Sequence, residues 1–196
     1  MSSELVSLSE RWAKIKYHVE QNQRLEALEV LSTDVESLVK SRPGEAPPMV
    51  WQAVVLSTIA EEKGGIIGLS MVKRAKRLLE QTELIDPLVL DGSIYTLLGS
   101  LYYQVPGYPI GFGNLEKAEE YLLKALEISP DGIDSNYFYG DFLLQNNQYR
   151  SAIKAFEKAL NAPPRVSRPL ADAGRKKDVE VALSMAKKQL QLSDAY

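Results

Sequence analysis

The chain of 196 residues contains no cysteine. That excludes disulfides and thiolate chemistry and fits reducing and oxidising compartments alike. It has a single histidine, His18, so a zinc site would need all-carboxylate company; a helix-surface position is the plain reading of that residue. Neither sign of charge dominates, with 23 Lys and Arg against 26 Asp and Glu and a net charge of −3. A concentrated basic face for nucleic acid is therefore lacking. No apolar run approaches the roughly 20 residues needed to cross a bilayer. The opening residues, Met1-Ser2-Ser3-Glu4-Leu5, lack the basic and apolar regions of a secretory signal. The chain as given is thus expected in the cytoplasm, or in the periplasm if a signal has been removed. Chemistry is scarce too. Gly107, Gly111 and Gly113 are not followed by Lys-Ser/Thr, so they make no phosphate cradle. Asp131, Asp134 and Asp141 lack the periodicity of an EF-hand, and the first two read as a helix cap and a turn. No nucleophile–base pair or cofactor motif stands out. The expectation is a protein that is no enzyme and holds no cofactor or metal.

What is present is recurrence. Tyr139-Gly140-Asp141-Phe142-Leu143 is followed by Ala152, Phe156, Ala159 and Pro164. Upstream, Leu98-Gly99-Ser100-Leu101-Tyr102 is followed by Ala118, Leu122, Ala125 and Pro130. Pro130 and Pro164 are 34 positions apart. The period and the order of small and large residues resemble the tetratricopeptide repeat (TPR), a pair of helices that stacks on its neighbours. In that register Gly140, Ala152 and Ala159 are the small residues where two helices approach, and Phe156 fills the space between repeats. Asp134 is expected to cap the first helix, Asn146-Asn147 to make the turn, and Pro164 to stop the second helix.

The preceding repeat is longer. Gly99 to Ala118 spans 19 positions where Gly140 to Ala152 spans 12, which places seven extra residues between its helices; two more enter after Pro87. The insertion lies within residues 104–114, whose prolines and glycines exclude a regular helix. Its Val105, Tyr108, Ile110 and Phe112 are too apolar for a solvated tether. The loop is expected to fold back, anchored by Ile110 and Phe112, with Tyr108 available to a ligand. One repeat earlier, Ala75, Leu79, Thr82 and Pro87 keep the second-helix spacing, and Glu61 to Gly68 reads as another glycine-containing insertion. Two loops stacked on one edge are therefore predicted.

At the N-terminus, Leu8, Trp12, Ile15 and Val19, then Leu25, Leu28, Leu31, Val35 and Leu38, fall at helical steps. At the other end an irregular stretch, Arg165 to Gly174, precedes an amphipathic helix carrying Val179, Ala182, Leu183, Ala186 and Leu190. Such a helix is suited to cover the last repeat and face water. The local basic cluster Arg165, Arg168, Arg175, Lys176 and Lys177 reads as a solvated surface. The resulting architecture is all-α: a single domain forming a right-handed, TPR-like superhelical solenoid of four helix pairs and a C-terminal capping helix. The pairs occupy 4–41, 46–87, 88–130 and 131–164, and the cap 175–192.

A narrower resemblance rests on residues 99–113, on 130–140 and on Arg168-Pro169-Leu170-Ala171-Asp172-Ala173-Gly174-Arg175. These segments are similar to bacterial TPR components associated with TRAP-type periplasmic solute transporters. The likeness implies a periplasmic scaffold that meets a solute-binding protein or an apolar ligand.

In TPR folds the inner face comes from fixed positions of each first helix. The resemblance puts Trp12 and Lys16, then Ser93, Thr96, Ser100, Tyr103 and Gln104, then Asp134, Tyr137, Asp141, Leu144 and Gln145 on that face. The candidate partner-binding residues are Trp12, Lys16, Thr96, Ser100, Tyr103, Gln104, Tyr108, Tyr137, Asp141 and Gln145. Two functions compete: a non-catalytic scaffold that holds a protein or peptide in its concave groove, and a module that binds a small, partly apolar ligand under the inserted loops. Shape separates them, because an open groove suits a partner and a closed pocket suits a ligand.

Overall fold

The structure, a computed structural model, describes residues 2–194. Among them lie nine α-helices: α1 (Ser3–His18), α2 (Gln21–Ser41), α3 (Ala46–Lys63), α4 (Gly65–Ile85), α5 (Val89–Gln104), α6 (Leu115–Ile128), α7 (Ile133–Gln145), α8 (Tyr149–Leu160) and α9 (Pro169–Ser193). None of these helices is long and apolar enough to cross a membrane. Successive helices pack on one another as an all-α solenoid, most extensively α3 on α4, α5 on α6 and α7 on α8.

Small residues set these contacts. Ala118, Ala152 and Ala159 are fully buried, and a Cβ at Gly140 would stand 2.7 Å from the Phe156 ring. Gly140 therefore lets α7 lie directly on the aromatic of α8. The α7–α8 turn uses Asn146 at the helix end and Asn147 at φ 60°, a left-handed position that asparagine tolerates. Gly132, not Asp134, occupies the cap of α7, and the Asp134 carboxylate is engaged elsewhere.

One expectation about chain length fails in an instructive way. Residues 61–68 form no loop: α3 runs to Lys63 and α4 starts at Gly65, with Gly64 alone between them. The extra residues lengthen both helices. Gly68 is needed inside α4 because a Cβ there would stand 2.8 Å from the Ala60 carbonyl oxygen of α3; it marks close helix crossing, not a break. The excess after Pro87 becomes a left-handed turn within α5, with Leu90 at φ 50°, Asp91 at φ 56° and Gly92 at φ 72°.

The second insertion is a loop, as expected, and it is tied down by backbone. Gly113 N–H donates to the Pro106 carbonyl at 2.9 Å and Asn114 N–H to the Tyr102 carbonyl at 2.8 Å. Asn114 also caps α6, its Oδ1 accepting from Lys117 N–H at 2.9 Å. A Cβ at Gly113 would fall 1.9 Å from the Val105 carbonyl oxygen, so only glycine fits where the loop crosses itself. Phe112 anchors it, edge-on to Tyr102 with centroids 5.6 Å apart. Ile110 does not, being 65% exposed; the buried anchor is Val105.

The last helix departs furthest from expectation. It starts at Pro169, six residues early, since proline's fixed φ suits the first turn. From its middle onward it covers α8 with Val179, Ala182 and Ala186. Its first turns reach back to α1, where Leu170 and Ala171 join Leu5, Leu8 and Trp12 in one core cluster.

Candidate functional site

Contact between α9 and α1 helps to wall a half-enclosed cavity. Tyr17 Oη donates to Asp178 at 3.0 Å, and Arg168 Nε donates to Ser9 Oγ at 3.2 Å. Gly174 makes the approach sterically possible, because a Cβ there would stand 2.2 Å from the Tyr17 ring. The turn into α9 is fixed by Asp172, whose carboxylate accepts from the Arg165 backbone N–H and from Arg165 Nε, both at 2.8 Å.

The half-enclosed cavity so formed has a volume of about 560 Å³, within the range of small-molecule sites. Its walls are mostly apolar: Val54, Leu69, Val72, Leu97, Leu101, Val105, Pro106 and Phe138 contribute, with Trp12 from α1. Ile66, at the start of α4, and Ile110, from the insertion, also line it and remain 88% and 65% exposed. They form an apolar rim. Polar groups on the lining are Ser57 and Thr58 on α3, Ser93, Thr96, Ser100 and Gln104 on α5, the Lys16–Glu61 ion pair at 3.3 Å, and Asp134, Arg168 and Arg175.

Those arginines are not the solvated cluster expected of them. Arg175 is buried: its Nε donates to Asp134 Oδ1 at 2.9 Å and its Nη1 to Asp178 at 3.1 Å, with its guanidinium over Tyr137 and Phe138. Arg165 bridges Asp134 and Asp172. Arg168 lies over the Trp51 ring at 5.2 Å. Three cations thus converge on one carboxylate. Burial alone would raise the Asp134 pKa, but Arg175, Arg165 and Arg168 together hold it well below the usual carboxylate range. Burial pushes the Tyr137 phenol up to about 12, against the opposing pull of Arg175.

The ten candidate residues separate into groups. Trp12, Lys16, Thr96, Ser100 and Gln104 line the cavity. Trp12 is held there by its indole N–H, which donates to Thr58 Oγ1 at 2.9 Å, and Ser100 by donation to the Leu97 carbonyl at 2.8 Å. Tyr103, Asp141 and Gln145 instead bond to one another: Tyr103 Oη and Gln145 Nε2 both donate to Asp141 Oδ2, at 2.7 and 3.0 Å. Tyr137 packs beneath Arg175 and does not reach the cavity. Tyr108 is 94% exposed and outside the lining. Phe138, Arg168 and Arg175 were missed as site residues, and Asp134, placed on the inner face by the repeat register, was not among the ten candidates. For the arginines the one sequence signal was the run Arg165, Arg168, Asp172 and Arg175, an alternation of signs that suits buried pairing as well as a wet surface.

A family model described as tetratricopeptide repeat matches residues 110–171, from the insertion through α8 to the start of α9. No curated protein matches the chain. Among solved structures, a thermophilic TPR protein of Thermus thermophilus is similar at 17% identity and a TM-score of 0.63, over 83% of this chain and 74% of that one. A crystal structure of MamA gives 15% identity and a TM-score of 0.48, over 89% and 96% of the two chains. The fold is therefore a TPR-like all-α solenoid. TPR folds generally act as non-catalytic scaffolds for protein–protein interaction.

Proposed function

We propose that this protein is a non-catalytic binding module whose central cavity holds a small, partly apolar ligand. The observation that carries the reading is the meeting of α9 with α1 through Tyr17–Asp178 and Arg168–Ser9, beside a half-enclosed cavity of about 560 Å³ that both helices help to line. A peptide laid along the concave face would have to displace α9 there. A small molecule would not. Binding energy would come from the aliphatic and aromatic walls, with orientation from the few polar groups of α5 and α9. The transporter association implied by the narrower resemblance fits the same reading: such a module would pass its solute to, or take it from, a solute-binding protein.

The neutral dye N-phenyl-1-naphthylamine tests the proposal. It should bind with saturable, blue-shifted fluorescence. Ser100→Phe, which pushes a ring into the cavity, should abolish that signal while the protein stays folded by circular dichroism. A dye signal unchanged in the variant would sink the reading.

A further inference from the structure

Arg168 differs from its neighbours in how little holds it. Arg165 makes hydrogen bonds to two carboxylates, Asp134 and Asp172, and Arg175 likewise to Asp134 and Asp178. Each oxygen of Asp134 accepts one of these bonds. Arg168 is left with Ser9 Oγ on its Nε and with Asp134 at 3.8 Å, beyond hydrogen-bond reach. A guanidinium carries five N–H donors, and here the two terminal nitrogens have no hydrogen-bond partner among the described residues. Nor are they sealed in protein, since the fully buried unpartnered side-chain atoms are Arg24 Nε and Trp51 Nε1. Arg168 lines the cavity, and its side chain is only 17% exposed.

The geometry points to Arg168 as the anchor for the carboxylate of an apolar acid, whose aliphatic or aromatic body fills the rest of the cavity. This deepens the ligand-binding reading above and rests on it. The planar guanidinium fork matches a carboxylate's two oxygens. Its guanidinium carbon lies over the Trp51 ring, 5.2 Å from the centroid, a cation–π contact that helps to hold the head group at the cavity wall. The surrounding charges favour a monoanion: Arg165 and Arg175 are already paired with Asp134, Asp172 and Asp178, so a dianionic phosphate would bring a second negative charge toward Asp134 with no further cation to meet it. Burial pushes the Arg168 pKa down, only partly offset by Asp134, as expected of a cation short of a counter-charge. The apolar wall then excludes water from the pair and strengthens it.

Displacement of the bound naphthylamine dye by decanoate and by 1-decanol separates the anchor from the cavity. Both competitors present the same chain, so their ratio of affinities isolates the head group. The wild-type chain should prefer decanoate by about tenfold or more, the scale of a charge-assisted pair. In Arg168→Gln that preference should fall to within about twofold. Arg168→Lys, which keeps the charge and loses the fork, should fall between them. A ratio is insensitive to any general loosening of the cavity, which a merely structural arginine would cause. Equal displacement by acid and alcohol in the wild type overturns the inference with no variant needed, as does a preference that survives Arg168→Gln; either leaves the apolar cavity standing. Failure of the dye to bind the wild type would overturn the cavity reading itself and this inference with it.

Discussion

Tyr17 of the first helix and Asp178 of the last are hydrogen-bonded at 3.0 Å across 161 positions of sequence. Burial pushes the Tyr17 pKa well above the ordinary tyrosine range, so the phenol is a neutral donor throughout the physiological range. Tyr17→Phe keeps the ring against Gly174 and removes one hydrogen bond, with Arg175 still paired to Asp178. The expected loss is about 1 kcal/mol. Gly174→Leu should cost more, about 3 kcal/mol, because its side chain must displace the Tyr17 ring. Denaturant midpoints check the order, and small-angle scattering should show the glycine variant opened. A Gly174→Leu protein as stable as Tyr17→Phe would mean that α1 and α9 are not packed this closely.

Asp134 and Asp141 stand on the same helix and should respond to acid with opposite sign. The Asp134 pKa is lowered from its ordinary value of 3.8, so its stabilising contribution is present above about pH 4 and is lost as the pH falls toward the lower native value. Asp134→Asn should therefore cost about 3 kcal/mol at pH 7, and the gap to wild type should close in acid. At Asp141 burial raises the pKa, against the bonds from Tyr103 and Gln145. A raised carboxylate pKa is a cost at neutral pH that disappears below the unfolded value. Asp141→Asn, which retains an acceptor for Tyr103, should be as stable as wild type or more so at pH 7, with any advantage fading in acid. Urea midpoints across pH 3–7 would show both trends, and parallel curves for the two variants would contradict them.

Gly140→Leu places branched carbon where even a Cβ would stand 2.7 Å from Phe156. Overpacking of this kind costs about 2–3 kcal/mol. Ala152→Leu should behave alike, since Ala152 is fully buried in the same cluster. An unchanged denaturant midpoint for either variant would count against the α7–α8 register.

Within the insertion, exposure predicts three different outcomes. Tyr108→Ala should change stability by no more than about 0.5 kcal/mol and leave dye binding alone, as the side chain is 94% exposed. Phe112→Ala removes the contact to Tyr102 and should cost about 2 kcal/mol. Ile110→Asp should leave stability nearly unchanged but weaken an apolar probe at the rim. Thermal melts alongside dye titrations separate the three, and a strongly destabilised Tyr108→Ala would contradict this account.

The repeats were legible because their determinants are local. Gly140, Ala152, Phe156 and Ala159 meet within one helix pair, and the spacing that brings them together is written in one stretch of chain. Part of the cavity lining was legible for the same reason: Thr96, Ser100 and Gln104 follow from the α5 register. The closure was not. Gly174 and Tyr17 owe their meeting to the accumulated rotation of the whole stack, which no local period encodes. Gly64 and Gly68 were misread because glycine's low helix propensity is the same signal as a close helix crossing. Arg165 and Arg175 were misread because the carboxylate that pairs with them, Asp134, lies more than 30 residues upstream.

Ordinary repeat stacks communicate only between nearest neighbours, and their ends unravel first. The seam between α1 and α9 gives this chain a term that depends on both ends at once. Fraying of α1 must break Tyr17–Asp178 and Arg168–Ser9, and fraying of the first turns of α9 must break the same bonds. Backbone amides in the two terminal helices should therefore exchange with solvent together, in one opening event with a free energy close to that of global unfolding. Closing contacts between residues so distant in sequence also raises the contact order, which slows folding relative to an open stack of equal length.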